Sequence, residues 1–254
     1  MADILYVYPQ TVRVSFTNIA EQHIKQLRRC FTVDTLDIKQ TYLVDKHYPI
    51  IVTHPIFWAF THQSPIMLDL RLRELERLYK HCDMLIGFDV ADSDRIAPFC
   101  AELLNEYYRS VIVPSNASKD AYIKSGVQIP IHVIPHGVDD RLLNTKPVLD
   151  KVYNFNLRLA HLYKHDKQYK YVLFFLWHSY YRKGADIVLK AMQLVQKQYP
   201  NVILLLKTGE LADYYVKAFR KVKHIAIKGW LSHDELAFLY MISDVVVVPS
   251  RGGG

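Results

Sequence analysis

Asp244-Val245-Val246-Val247-Val248-Pro249-Ser250-Arg251-Gly252-Gly253-Gly254 is the stretch whose reading decides the fold. Four consecutive valines fit a strand covered on both faces, as in the middle of a parallel sheet, rather than a half-exposed strand that alternates with polar residues. Pro249-Ser250 ends the strand, and the glycine-rich turn after it is backbone that can come close to a phosphate or a sugar. A similar passage, Val111-Ile112-Val113-Pro114-Ser115, stands earlier and runs on through a helical pattern to Val133-Ile134-Pro135-His136-Gly137-Val138-Asp139. Two related α/β halves are expected, the second stopping inside its glycine turn with its last βα units still to come.

Outward from these two passages, apolar strand-like runs alternate with helical patterns almost throughout. Ile4 to Tyr8, Thr32 to Ile38, Pro49 to Thr53 and Asp83 to Phe88 read as strands in the first half. Phe16 to Arg29, a segment with Met67, Leu70, Leu75, Leu78 and Cys82 on one face, Ile96 to Tyr107, and a helix closed by Gly126 separate and follow them. In the second half, strands at Tyr171 to Trp177, Val202 to Lys207 and His224 to Lys228 alternate with helices at Ala185 to Tyr199, near Ala212 to Val222, and at Asp234 to Ile242. Ser232 and Glu235 have capping-box spacing before the last of these. Strands separated by helices predict parallel βαβ units. Residues 146 to 169 break the rhythm with Lys, His and Tyr and read as a connection. The expected domains are therefore 1–147, a linker or insertion at 148–167, and 168–254.

The bulk numbers narrow the class. At 254 residues, half of them apolar, the chain is long enough for two ordinary domains with real cores. No apolar run approaches the ~18 residues of a membrane span, and no basic segment precedes the first apolar run, so a cytoplasmic setting is expected. Cys30, Cys82 and Cys100 show no metal spacing and read as reduced core residues. The formal charge of +7 favours anionic partners: a nucleotide first, an acidic membrane surface second, nucleic acid last, because the basic residues are scattered.

Chemistry concentrates in Leu176-Trp177-His178-Ser179-Tyr180-Tyr181-Arg182-Lys183-Gly184-Ala185-Asp186, where a strand ends, a basic turn follows and a helix begins. Ligands of open parallel sheets bind at the carboxyl ends of strands, and a helix N-terminus there offers free N–H groups and partial positive charge. Arg182 and Lys183 can add full charges to a diphosphate there; the plain alternative is a basic surface turn. On the other half, Gly87-Phe88-Asp89-Val90-Ala91-Asp92-Ser93-Asp94-Arg95 places three carboxylates after a strand end, with Asp92 or Ser93 readable equally as a helix N-cap. His54 follows another strand, where a packing role is an equal alternative.

Tyr181-Arg182-Lys183-Gly184-Ala185-Asp186-Ile187-Val188-Leu189-Lys190-Ala191 resembles the corresponding stretch of retaining glycosyltransferase family 4. So do Val113-Pro114-Ser115, Ser125-Gly126-Val127, Val133 to Asp139, Gly229-Trp230-Leu231-Ser232-His233-Asp234-Glu235-Leu236 and Ser243 to Ser250, in that order. The resemblance covers the chain from about Asp83 onward. It implies an α/β fold of GT-B type, two Rossmann-like parallel-sheet domains facing a cleft, the second incomplete. It implies transfer of a sugar from a nucleotide-diphosphate donor with retention at the anomeric carbon, and no metal or other cofactor.

By the same resemblance Lys183, then Arg182, hold the leaving diphosphate, with His178 where many members carry an arginine. Leu231 lies beside the base unless its loop is an ordinary turn, and Gly253 and Gly254 stand where a glutamate is usual. Their amides would line the sugar-phosphate. Asp92, Asp94 and His54 are the acceptor-side catalytic candidates. His136 and Gly137 are expected to shape the interdomain crossover. The acceptor is a sugar, a lipid-linked sugar or a protein. The Tyr, Lys and His alternation from Tyr153 to Tyr171 reads as a solvated linker, with peripheral contact to a membrane as its alternative. Two other readings stay open: a nucleotide-sugar 2-epimerase of the same fold, and a non-catalytic nucleotide-sugar-binding module.

Overall fold

Strands and helices alternate along the chain as the hydrophobic runs predict. The computed structural model describes residues 2–12, 14–56, 65–91, 93–138, 159, 161–162, 168–177, 179–209 and 213–252. The chain divides into two units, one ending at His136 and the other beginning at Gly137.

The first unit runs β1 (Ile4–Tyr8), α1 (Ser15–Leu27), β2 (Val33–Asp37), β3 (Tyr48–Thr53), α2 (Pro65–Lys80), β4 (Cys82–Phe88), α3 (Pro98–Tyr107), β5 (Ser110–Val113), α4 (Asn116–Lys124) and β6 (Ile131–Val133). Its strands form one sheet in the order β2-β1-β3-β4-β5-β6, with every pairing parallel. Side chains of β1 alternate between two cores: Leu5 and Val7 on one face, Ile4, Tyr6 and Tyr8 on the other. That double burial is why the strand is apolar at every position instead of every second one.

The second unit runs β7 (Lys170–Leu176), α5 (Ala185–Gln198), β8 (Val202–Thr208), α6 (Asp213–Ala218), β9 (His224–Ile227), α7 (His233–Ile242) and β10 (Val245–Val247). Its sheet has the order β10-β7-β8-β9, again parallel. Tyr171, Leu173 and Phe175 of β7 face the core that holds α7. Val172, Phe174 and Leu176 face the core that holds α5. Asp244 fixes where β10 starts: its carboxylate accepts the Tyr171 amide at 2.8 Å and pairs with Lys170 at 3.0 Å.

Local signals explain the ends of the elements. α4 closes in a Schellman motif, with Val127 N–H on the Tyr122 carbonyl and Gly126 N–H on that of Ile123; Gly126 supplies the positive φ of +91°. α7 opens on the expected capping box: Ser232 Oγ accepts the Glu235 amide at 3.2 Å and Glu235 Oε2 accepts the Ser232 amide at 2.7 Å.

Three expectations change. α3 starts at Pro98 with Ala97 as its N-cap, so Ser93 does not cap it; proline fits the first helical position because its φ is already set and its missing N–H is not needed there. Cys30 is exposed, and Cys82 and Cys100 are only half-buried, so none of the three is a full core residue. The segment read as a polar connection contributes Leu159 and Leu162, both fully buried in the second unit's core, and the Tyr171 hydroxyl donates to the Leu162 carbonyl. Two leucines in a polar stretch are enough to anchor it.

Candidate functional site

Each sheet reverses its order of growth at one point, and Arg182 and Lys183 stand at that of the second sheet, His54 at that of the first. In the second sheet the chain builds β7, β8 and β9 to one side and returns to lay β10 on the other side of β7. Connections leave such a point in opposite directions and open a crevice at the carboxyl ends of the strands. Two turns meet at it: one after β7, described from residue 179 to 184, and 248–252 after β10.

The first of these turns is wound tightly. Lys183 N–H bonds the Ser179 carbonyl at 2.9 Å, Gly184 N–H that of Tyr181 at 3.0 Å, and Ala185 N–H that of Tyr180 at 3.0 Å. Ser179 has a φ of 60°, a left-handed value that a serine adopts only under constraint. Gly184 is the N-cap of α5 at φ 71°, and a Cβ there would collide with the Pro249 carbonyl. Glycine is therefore required twice over, by backbone angle and by the approach of the second turn.

The two turns are bonded together. Arg251 donates to both oxygens of Asp186, each at 2.8 Å, and its guanidinium lies 3.9 Å from the centre of the Tyr181 ring. Arg251 Nη1 also donates to the Tyr181 carbonyl at 2.6 Å, and its amide to that of Arg182 at 2.8 Å. Exposed ion pairs of this kind add little stability, but the forked geometry fixes how the two turns face each other. Arg251 holds the Asp186 carboxyl down to about 2, chiefly through these bonds.

Arg182 and Lys183 thus stand at the N-terminus of a 14-residue helix, at the switch point. Arg182 is half-buried and reaches the Gly252 carbonyl at 3.4 Å. Lys183 is half-buried, and its ammonium has no hydrogen-bond or ion-pair partner among the described residues. Leu231 is buried against Phe238 and Leu239, so its side chain belongs to the core and only its main chain is left for a ligand. His178, Gly253 and Gly254 lie outside the described residues.

Sequence reading missed a polar cluster beside this crevice. Lys207, in β8, is buried and donates to the carbonyls of Thr208, at 3.0 Å, and Gly229, at 2.5 Å. Its ammonium is 5.0 Å from the centre of the Trp177 ring, which meets Trp230 edge-to-face at 5.6 Å. Lys207 so joins the ends of β7, β8 and β9. A lysine inside Val202-Ile203-Leu204-Leu205-Leu206-Lys207 was the available signal.

In the first sheet the switch point lies between β1 and β3, and His54 follows β3 there. It is fully buried. Nδ1 donates to the Phe88 carbonyl at 2.9 Å, which leaves Nε2 as an acceptor with no partner among the described residues. Burial, outweighing that hydrogen bond, pushes its pKa down to about 4. A group so weakly basic suits accepting a hydrogen bond better than taking a proton at neutral pH.

Phe16, Phe88 and His23 ring it at 5.4, 4.9 and 5.9 Å between centroids. His23, unnoticed in the sequence, bonds the Tyr6 hydroxyl at 2.9 Å through Nδ1. At the same strand ends Asp37 is buried. Burial raises its pKa, but the amides of Lys39, Gln10 and Thr11 outweigh it and leave the net shift downward. Asp94 is exposed and Asp89 buried, so these two do not share an environment; Asp92 lies outside the described residues. His136 stacks on Phe88 at 5.8 Å and ends the first unit.

Comparison with known proteins fits this arrangement. A family model described as glycosyl transferases group 1 matches residues 163–254. Uncharacterized protein 356 of Sulfolobus islandicus rod-shaped virus 1 is 33% identical over 254 residues, covering 98% of this chain and 68% of that protein. Among solved structures, the α,α-trehalose 6-phosphate synthase of Burkholderia multivorans superposes with a TM-score of 0.66 at 10% identity, covering 98% of this chain and 78% of that one. WaaG, a glycosyltransferase involved in lipopolysaccharide biosynthesis, gives 0.61 at 11%, covering 98% and 75%. At such identities the structural likeness shows the fold alone: two parallel-sheet α/β domains of GT-B type, the second sheet smaller.

Two measurements check the packing at these switch points. Gly→Ala commonly stabilises a loop by ~0.4–1 kcal/mol where the backbone permits it. At Gly184 the sign reverses: Gly184→Ala is expected to lose at least ~2 kcal/mol in urea unfolding, from the left-handed angle and the collision together. Gly126→Ala, where a Cβ meets nothing within 4 Å, is expected to lose only the angular part, ~1 kcal/mol. Equal losses at the two sites would contradict contact between the turns.

His54 gives a pH signature. Its folded pKa, about 4, lies below the ordinary 6.5, so the unfolded chain binds the proton more tightly. Its contribution is complete above pH 6.5 and is lost as pH falls toward 4. Between pH 7 and 4.5 the unfolding free energy is expected to drop by ~2–3 kcal/mol from this residue, and by clearly less in His54→Phe. An unchanged pH dependence in that variant would count against the buried neutral histidine.

Proposed function

This chain belongs to the family of rod-shaped-virus protein 356 and carries a glycosyl transferases group 1 domain, and on that premise we propose that it moves a sugar from a nucleotide-diphosphate donor to an acceptor, with retention at the anomeric carbon. The observation that carries the reading is Lys183. Its ammonium, without a partner among the described residues, stands at the mouth of α5, at the switch point of the second sheet and at the positive end of a helix.

In this reading Lys183 and Arg182 stabilise the charge that builds on the diphosphate as the sugar–oxygen bond breaks, so no metal ion is called on for that step. The main chain of residues 229–231, whose position Lys207 fixes, borders the base. His178 and the amides of Gly253 and Gly254 complete the donor side. On the acceptor side, Asp92 and Asp94 orient the acceptor, which is a sugar, a lipid-linked sugar or a protein, and His54, fully buried, holds the Phe88 carbonyl that precedes this acidic segment. Water must be excluded for the sugar to reach that acceptor.

Lys183→Ala is expected to lower transfer by ~10²–10³-fold, the usual cost of removing a donor aimed at developing charge, with the unfolding midpoint little changed because its ammonium makes no hydrogen bond or ion pair among the described residues. The check is turnover of radiolabelled nucleotide sugars, with the product anomer read by NMR. Near-normal turnover in the variant would refute the assignment.

A further inference from the structure

Asp186 presents a difficulty at this site. It lies in the first turn of α5, where a carboxylate favours the helix itself but repels any other anion that arrives. Arg251 sits across it from the other turn. Its two nitrogens take the two carboxylate oxygens at 2.8 Å each, while Nη1 and the backbone amide bond the carbonyls of Tyr181 and Arg182. The Tyr181 ring, 3.9 Å away, backs the guanidinium. These contacts fall on the turn that carries Lys183 and on the first turn of α5 that follows it.

We propose that Arg251 is a positioning residue for the donor diphosphate: it cancels the Asp186 charge at the mouth of α5 and holds the 249–252 turn against the 181–184 turn. The inference rests on the reading that a diphosphate docks at Lys183. Its consequence is counterintuitive, because removing the acidic residue from this ion pair should strengthen the site. In Asp186→Asn the guanidinium keeps its bonds to the Tyr181 carbonyl and ring, and its charge becomes available to the ligand. In Arg251→Ala the carboxylate is left uncovered beside the incoming anion. Removing both charges together restores neutrality.

The test is calorimetric titration of the chain with inorganic pyrophosphate, ADP, GDP and UDP, at low and high salt. For pyrophosphate, Asp186→Asn is expected to bind about 3–10-fold more tightly than the unaltered chain, and Arg251→Ala about 10-fold more weakly. Arg251→Ala/Asp186→Asn is expected to return to within about threefold of the unaltered chain, the mark of direct coupling between the two residues. These differences shrink at high salt. Weaker or unchanged binding by Asp186→Asn, or a double variant as weak as Arg251→Ala, would overturn the charge-cancelling role.

A merely structural role for Arg251 would leave the double variant as impaired as the single one. Should Arg251→Ala fail to fold, Asp186→Asn decides alone, since it retains the arginine. Failure of the underlying reading looks different: Lys183→Ala would then bind pyrophosphate as well as the unaltered chain, whatever the Asp186 and Arg251 variants do.

Discussion

Everything the second unit offers to a ligand depends on β10 pairing with β7. That pairing is parallel, in the register Val245 to Val172, Val246 to Leu173 and Val247 to Phe174, and its start is set by the Asp244 carboxylate on the Tyr171 amide. One residue of slip would turn the valines over and move Pro249 away from Gly184. With the register in place, the turn after β10 comes down on the turn after β7. There the absence of a side chain at Gly184 lets the two backbones meet. The helix mouth, the lysine and the arginine clamp all follow from this contact.

The same economy governs the buried polar groups. An unpaired buried ammonium or carboxylate is very costly, and here Lys207 and Asp37 lie at the carboxyl ends of strands with hydrogen-bond partners. Lys207 binds two carbonyls and faces an indole ring; Asp37 accepts three amides. Both fasten loops that the sheets leave behind them. Lys183 and His54 Nε2 are the contrasting cases, a half-buried cation and a buried acceptor without partners among the described residues. Of the two, Lys183 is within reach of a ligand, whereas His54 Nε2 is enclosed by the core.

Much of this was legible in the sequence because its signals are local. Apolar runs marked the strands, although the valines of β10 are not doubly buried: β10 is the edge strand of its sheet, and Val245, Val246 and Val248 are exposed. Ser232 and Glu235 announced their capping box, and Gly126 its helix end. Lys183 could be singled out because strand, basic turn and helix follow one another within eleven residues. What stayed hidden is non-local. Asp186 and Arg251 are 65 positions apart, and nothing in either neighbourhood names the other. His23 reaches Tyr6 only through the packing of α1 on β1.

Leu159 and Leu162 were masked by the polar residues around them, because composition averages over a segment while burial is decided residue by residue. Leu231 illustrates the converse. Its loop borders the crevice, but its side chain follows its own hydrophobicity into the core.

The measurement that tests the account most directly is a crystal structure of the chain with a nucleotide sugar bound. The account predicts pyrophosphate oxygens within hydrogen-bonding distance, ~2.7–3.2 Å, of Lys183 Nζ and of first-turn amides of α5, beside an intact Arg251–Asp186 pair. Pyrophosphate oxygens seated away from the carboxyl ends of β7 and β10 would contradict it.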